Sequence, residues 1–287
     1  MAIASPGIIK ATNDALVAIR PAINVVKDFA FDLSDEFATP GTTVKVPVVS
    51  TGALKAFDRT SNNFETVDGS LAWETVTLDD PVKSTFQIMA KDMLEMPMAS
   101  YWTTIAKASA NAVNKYVSDK IGGLFTDSAV TATASISGDI TAKKIAKLRT
   151  SCTGRVDETV LMLDPDSYAD LLGELDSSVF GGTNPFHDGR VDKLFGFASI
   201  VEARSLPTGT KGVLLPKDCL CTASRAYEFP APDGYLECGT AKDEETGFTM
   251  TAMRHIDPKT GDMFLNLVSL FGMKLLQADK IVRIVAA

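Results

Sequence analysis

The sequence predicts an α+β protein, on three observations. Its last forty residues are a run of strand-like segments, over 248–255, 263–276 and 281–285, in which apolar and β-branched residues dominate. One long helical period over 97–122 stands apart from them. Between the two, short helical and strand-like patterns follow one another from 142 to 223.

Composition narrows the class. The chain has 287 residues, 45% of them hydrophobic and 22% charged, enough apolar side chains for a real core in one large domain or two smaller ones. No apolar run approaches the roughly 18 residues of a membrane span, and the densest stretch, "FLNLVSLFG", is interrupted by Asn266. The opening "MAIASPGIIK" lacks the basic and apolar regions of a secretory signal, so the expectation is a protein made in and remaining in the cytosol, with no membrane partner. A net charge of −8 without any Lys/Arg run argues against nucleic acid as a tight primary ligand, while leaving room for a weak contact through a locally basic face. Four cysteines, Cys152, Cys219, Cys221 and Cys238, are too few for a disulfide scaffold and are read as reduced.

Taken in order, residues 1–40 read as an irregular arm with one short helix near 12–19, stopped by Pro21. Residues 41–91 hold two alternating segments. In "TTVKVPVVS", Val44, Val46 and Val48 share a face, and in "KSTFQIMAK" Phe86 and Ile88 do. The stretch between them, "FDRTSNNFETVDGSLAWETVTLD", carries Asp58, Arg59, Glu65, Asp68 and Glu74 beside Phe57, Phe64, Val67, Leu71 and Trp73. It is too polar for a core and too apolar for an idle loop. Aromatic anchors in a field of alternating charge suit contact with another protein surface, and a lone two-stranded arm is marginal in water without one.

Residues 92–144 contain the long helix. Its stripe runs through Met98, Trp102, Ile105, Ser109, Val113 (or Ala112), Tyr116 and Leu124, widened by Val117 and Ile121. Pro97 suits a first turn and Gly122-Gly123 an end. At 1.5 Å per residue the helix is about 40 Å long, a strut rather than a packing unit. Residues 126–140, "TDSAVTATASISGDI", read as a linker or edge strands. A second lobe over roughly 125–240 is expected to hold helices at 142–149 and 167–172 and strands at 159–163, 197–203, 211–215 and 219–223, while the first lobe gathers the long helix and the terminal strands.

Each candidate for chemistry has a plainer structural reading. In "LMLDPDSYADLL" a strand ends in Asp164-x-Asp166, which resembles the nucleophile and acid pair of haloacid-dehalogenase-type phosphatases, with Mg²⁺ implied. The same residues describe a helix start: Asp164 as N-cap, Pro165 in the first position, Asp166 complementing the dipole. That family carries its motif near the N-terminus and follows it with repeated βα units, so the cap is preferred. Cys219-x-Cys221 with Cys238 and His255 lacks the paired spacing of a zinc site, and the C-x-C pair is read as core cysteines on one strand face. His187, beside Asp188 in a Pro- and Gly-containing loop, has no matching nucleophile. "DPKTGD" at 257–262 reads as a hairpin turn with Gly261 at positive φ rather than a calcium loop. No phosphate-binding glycine motif occurs, and no catalytic residue, cofactor or metal is assigned.

The order of elements resembles the major capsid proteins of tailed bacteriophages, the Hong Kong 97-like fold. The runs "VLMLDPDSYADLL", "GRVDKLFGFASIVEARSLP" and "GFTMTAMRHIDPKTGDMFLNLVSLFGMKLL" carry the likeness, which spans nearly the whole chain. It implies an N-terminal arm (1–40), an extended β-hairpin E-loop with flanking strands (41–91), a peripheral domain with a long spine helix (92–144), an axial domain (145–240) and a return to the peripheral domain (241–287). It further implies a structural, non-enzymatic protein that self-assembles as hexamers and pentamers into the icosahedral head of a double-stranded DNA phage, located in the virion after assembly in the host cytoplasm. Lys55, Phe57, Asp58, Arg59, Phe64, Glu65, Asp68, Trp73 and Glu74 would then be inter-subunit arm contacts. Some relatives start with a long scaffolding segment. This chain begins almost directly with its arm, so a separate scaffolding protein is expected, together with a portal and a weak contact with packaged DNA. Some relatives crosslink Lys to Asn; Lys55 lies near the arm, but nothing identifies its Asn. Encapsulin compartments share the fold and form the alternative, and a phosphatase using Asp164 and Asp166 is the remote one.

Overall fold

The computed structural model describes residues 10, 12–17, 30–33, 43–49, 71–78, 81–95, 98–174, 186–187, 190–192, 194–217, 219–227, 237–243 and 247–287. A short helix at 12–17 (α1) comes first among the described elements. There follow β1 (Ala30–Asp32), β2 (Thr43–Val49), β3 (Leu71–Thr77), β4 (Val82–Ile88), α2 (Ala90–Glu95) and α3 (Met98–Gly123). The middle of the chain supplies β5 (Thr133–Ile136), α4 (Ala142–Leu148), β6 (Thr159–Leu163), α5 (Pro165–Glu174), β7 (Phe186–His187), β8 (Arg190–Asp192), β9 (Ser199–Glu202) and β10 (Thr210–Pro216). The end supplies β11 (Leu220–Arg225), β12 (Glu237–Lys242), β13 (Thr249–Ile256), β14 (Met263–Leu275) and β15 (Val282–Ala286).

These strands form three sheets. A six-stranded sheet runs β1-β11-β14-β13-β12, with β4 added on β14. A seven-stranded sheet runs β5-β15-β10-β6-β9-β8-β7, and β2 and β3 make a separate two-stranded ribbon. Sheet membership departs from the lobe boundaries expected from sequence. Strand β11, inside the expected 125–240 lobe, and β12, across its end, belong to the six-stranded sheet. Strand β15, outside that lobe, belongs to the seven-stranded one. The cause is long-range pairing: β14 is long enough to pair with β13 and β4 through its first half and with β11 through its second, while β15 inserts between β5 and β10.

Strand β6 shows how the layers join. All five of its residues are buried. Alternation sends Val160 and Met162 to one face and Leu161 and Leu163 to the other. The first pair joins a core that also holds Ala15 and Leu16 of α1, Val113, Val117 and Ile121 of α3, and Met250, Leu267 and Phe271 of the six-stranded sheet. The second pair joins Ile145, Leu148 and Leu171 beneath α4 and α5. One continuous core therefore links both sheets.

The long helix is 26 residues, and Ile105, Ser109, Val113, Val117 and Ile121 form its buried stripe. Of the two alternatives at one stripe position, Val113 is buried and Ala112 exposed. Tyr116 lies off the stripe, with its ring edge-on to Phe271 at 5.8 Å. At the far end of the six-stranded sheet, the 257–262 turn has Gly261 at φ 74, where a side chain would be strained. It places Asp262 so that Oδ1 accepts from the Ala90 N–H at 2.9 Å and Oδ2 from the Gln87 Nε2 at 2.8 Å. Asp262 thereby caps α2 from 172 residues away.

Candidate assembly surface

Sequence reading placed the strands flanking the 57–79 stretch as a pair. The structure re-pairs them: β2 runs antiparallel to β3, which lies inside that stretch, whereas β4 is bonded to β14 in the body. The ribbon is thus β2–β3, with Val46 opposite Glu74, Pro47 opposite Trp73 and Val49 opposite Leu71.

The two faces of the ribbon differ. On one face, Val46 and Val76, with Leu78 just beyond β3, are buried against Leu33, Cys221 and Ala223, on and beside β1 and β11. Burial there pushes the Cys221 thiol up to about 12, with Asp32 adding to the shift, so Cys221 stays neutral as a small apolar residue. The Thr77 carbonyl approaches β14 so closely that a Cβ on Gly272 would overlap it. Lys274 of β14 reaches the ribbon as well, with Nζ donating to the Thr75 carbonyl at 2.9 Å and pairing with Glu74 Oε2 at 2.8 Å. Apolar burial dominates this attachment. Val76 and Leu78 contribute about 1.5–3 kcal/mol each, against about 0–1 kcal/mol for a half-exposed ion pair.

The opposite face is open. Leu71 is 56% and Trp73 59% exposed, and Pro47 and Lys45 on β2 are exposed beside them. Leu71 and Trp73 thus form an exposed apolar pair on a strand whose other face is buried.

Of the arm residues singled out in the sequence, Lys55, Phe57, Asp58, Arg59, Phe64, Glu65 and Asp68 lie outside the described residues. Trp73 is exposed on the open face of the ribbon, opposite Pro47. Glu74 is engaged within its own chain by Lys274, a partner 200 positions away that no local pattern could reveal. Leu71 and Pro47 join Trp73 on the open face; strict alternation along β3 was the signal for Leu71.

The remaining candidates are placed as follows. Asp164 precedes α5, and its carbonyl accepts the Tyr168 N–H at 2.9 Å. Its carboxylate oxygen Oδ1 is buried without a hydrogen-bond partner, so that oxygen caps no N–H. Asp166 is exposed in the first turn. Cys219 and Cys221 are both buried but do not share a face. Cys219 precedes β11 and packs into the large core, whereas Cys221 lies under the ribbon. His255 stacks on Phe264 at 4.9 Å and lies 3.4 Å from the Asn266 amide. His187 falls on β7, and Asp188 outside the described residues. Among the described residues no group of three His, Cys, Asp or Glu side chains is placed to hold a metal ion, and no helix is long and apolar enough to cross a membrane.

Comparison of whole folds places this architecture. The chain is similar to the capsid structure of cyanophage P-SCSP1u, at 15% identity over 90% of this chain and 86% of that one, with a TM-score of 0.56. It is similar to a structure from Mycobacterium phage Che8 at 13% identity over 89% and 88%, TM-score 0.56. The capsid of a native GTA particle matches at 11% identity over 93% and 90%, TM-score 0.58. No family model matches the chain, and no curated protein does. The fold is the Hong Kong 97-like capsid fold, an α+β architecture.

Proposed function

We propose that this chain is the major capsid protein of a tailed double-stranded DNA phage, a structural protein whose copies assemble into the icosahedral head of the virion. The observation that supports the reading most is the body's design. A ribbon is fixed to the six-stranded sheet through a small cluster of its own, with an apolar face, Leu71 and Trp73, turned outward, in a fold shared with capsid structures over about nine-tenths of the chain. On this reading the ribbon and the 50–70 segment beyond it form the E-loop, which lies on a neighbouring copy. The α3 helix is the spine that stiffens each tile, and the seven-stranded sheet with α4 and α5 forms the axial domain that meets its equivalents around symmetry centres. The acidic balance, −8, suits a wall that does not grip its genome tightly. A scaffolding protein and a portal complete the assembly pathway.

Sedimentation and negative-stain microscopy of the purified protein, alone and with a co-expressed scaffolding protein, test the proposal. Closed shells are expected. A protein that stays monomeric under every condition, or one with Mg²⁺-dependent phosphatase activity abolished by Asp164→Ala, would overturn it.

A further inference from the structure

We infer that the outer edge of β5 is a strand-addition site, occupied in the assembled particle by an extended segment of a second copy of this chain; the inference rests on the capsid reading. Strand β5 ends the seven-stranded sheet and runs parallel to β15. The bonds from Arg283 N to the Ala132 carbonyl and from Ala287 N to the Ile136 carbonyl fix the ladder's phase. In a parallel ladder a residue turns its N–H and C=O to the same neighbour. Ala134 and Ile136 therefore face β15, while Thr133 and Ser135 present two N–H and two C=O groups outward. Among the described residues no partner takes those four groups, and both residues are exposed.

Two further features distinguish this edge. It is held rigidly from both ends. Asp127, in the turn before it, pairs with the buried Arg283. After it, Lys211 Nζ donates to the Gly138 carbonyl at 2.6 Å, and Lys144 Nζ to the Ser137 and Asp139 carbonyls at 2.7 and 2.6 Å. It is also unguarded. Exposed edges are normally blunted by charge or proline, yet residues 128–137, "SAVTATASIS", contain neither. The outer strands of the six-stranded sheet do carry charge: Asp32 on β1, Lys83 on β4, Glu237 and Lys242 on β12.

The short length of the edge points to the occupant. Four backbone groups are too few to hold two molecules together in solution, where association must offset lost translational and rotational freedom. They suffice where other contacts already hold the partner alongside, as between neighbouring copies in a shell. Backbone pairing is indifferent to side-chain charge, so an uncharged edge accepts a strand from this acidic chain without repelling it.

Hydrogen–deuterium exchange resolved to single amides, on unassembled protein and on shells made from this chain alone, tests the inference. The Thr133 and Ser135 amides should exchange freely in the unassembled protein and slow by about tenfold or more in shells. Ala134 and Ile136 should be protected in both. Thr133→Pro, which removes only an outward donor, should reduce shell yield while leaving the Ala134 and Ile136 protection of the monomer in place. Shells in which Thr133 and Ser135 exchange as in the monomer would overturn the inference and leave the capsid reading standing. Protection that appears only when a different protein is added would replace the second copy as occupant. Failure to form shells both alone and with a co-expressed scaffolding protein would overturn both.

Discussion

Trp73 exposes more than half of a large indole, on a strand whose other face is locked into the core. Indoles in such positions are typical anchors of protein contacts, where truncation costs about 2 kcal/mol or more of binding. Trp73→Ala and Leu71→Ala should therefore lower shell yield sharply while shifting monomer stability by no more than about 0.5 kcal/mol. Urea melts and particle counts on the same preparations separate the two effects, and normal assembly by the double variant would remove the ribbon face from the interface. Asp262 is the other residue whose role can be read locally. Hydrogen bonds from the Ala90 N–H and then Gln87 hold its carboxyl below the usual carboxylate range. A depressed folded-state value means that the stabilisation is present above the unfolded value, about 3.9, and is lost as pH falls through the lowered one. Asp262→Asn should lower stability at neutral pH and flatten the acid side of the stability profile, measured by thermal melts between pH 2 and 7.

At the scale of elements, the attachment of the ribbon depends on apolar burial and on one close crossing. Leu78→Ala should destabilise the monomer by about 2–5 kcal/mol. Gly272→Val should cost about 1–3 kcal/mol because the added side chain meets the Thr77 backbone, which has no rotamer to change. Lys274→Ala, which removes only the half-exposed pair with Glu74 and one hydrogen bond, should cost about 1 kcal/mol. Equilibrium denaturation of the three variants gives the order directly, and a Lys274→Ala loss as large as that of Leu78→Ala would reverse the account. Deleting residues 64–68 should impair assembly with the monomer fold intact, as circular dichroism and sedimentation would show. The elements that were legible in sequence are those with a strong local period: α3 and, of its stripe, Ile105, Ser109, Val113, Val117 and Ile121, together with β6, β13, β14 and the 257–262 turn. What was not legible is pairing. The segments around the 57–79 stretch looked like partners because both alternate, yet alternation shows which face is buried and not which strand lies alongside.

For the whole molecule, the core shared by α1, α3, β6 and the six-stranded sheet makes the two expected lobes one mechanical unit. Calorimetry of the monomer should give a single unfolding transition. Met162→Ala and Leu267→Ala, from different sheets, should both lower it. Two transitions, each responding to one of these variants, would show separable lobes instead.

The sequence by itself determined the α+β class, the long helix and the 257–262 turn. These follow from period, composition and turn chemistry, which act over a few residues. Only the tertiary structure decided that Glu74 is tied to Lys274, that Cys219 and Cys221 serve different cores, that β15 and β5 complete the seven-stranded sheet, and that the backbone of Thr133 and Ser135 is left facing outward. Each of those depends on which distant segment folds alongside. That choice is made by the collective burial of a core whose members lie up to 266 residues apart, from Ala15 to Ile281.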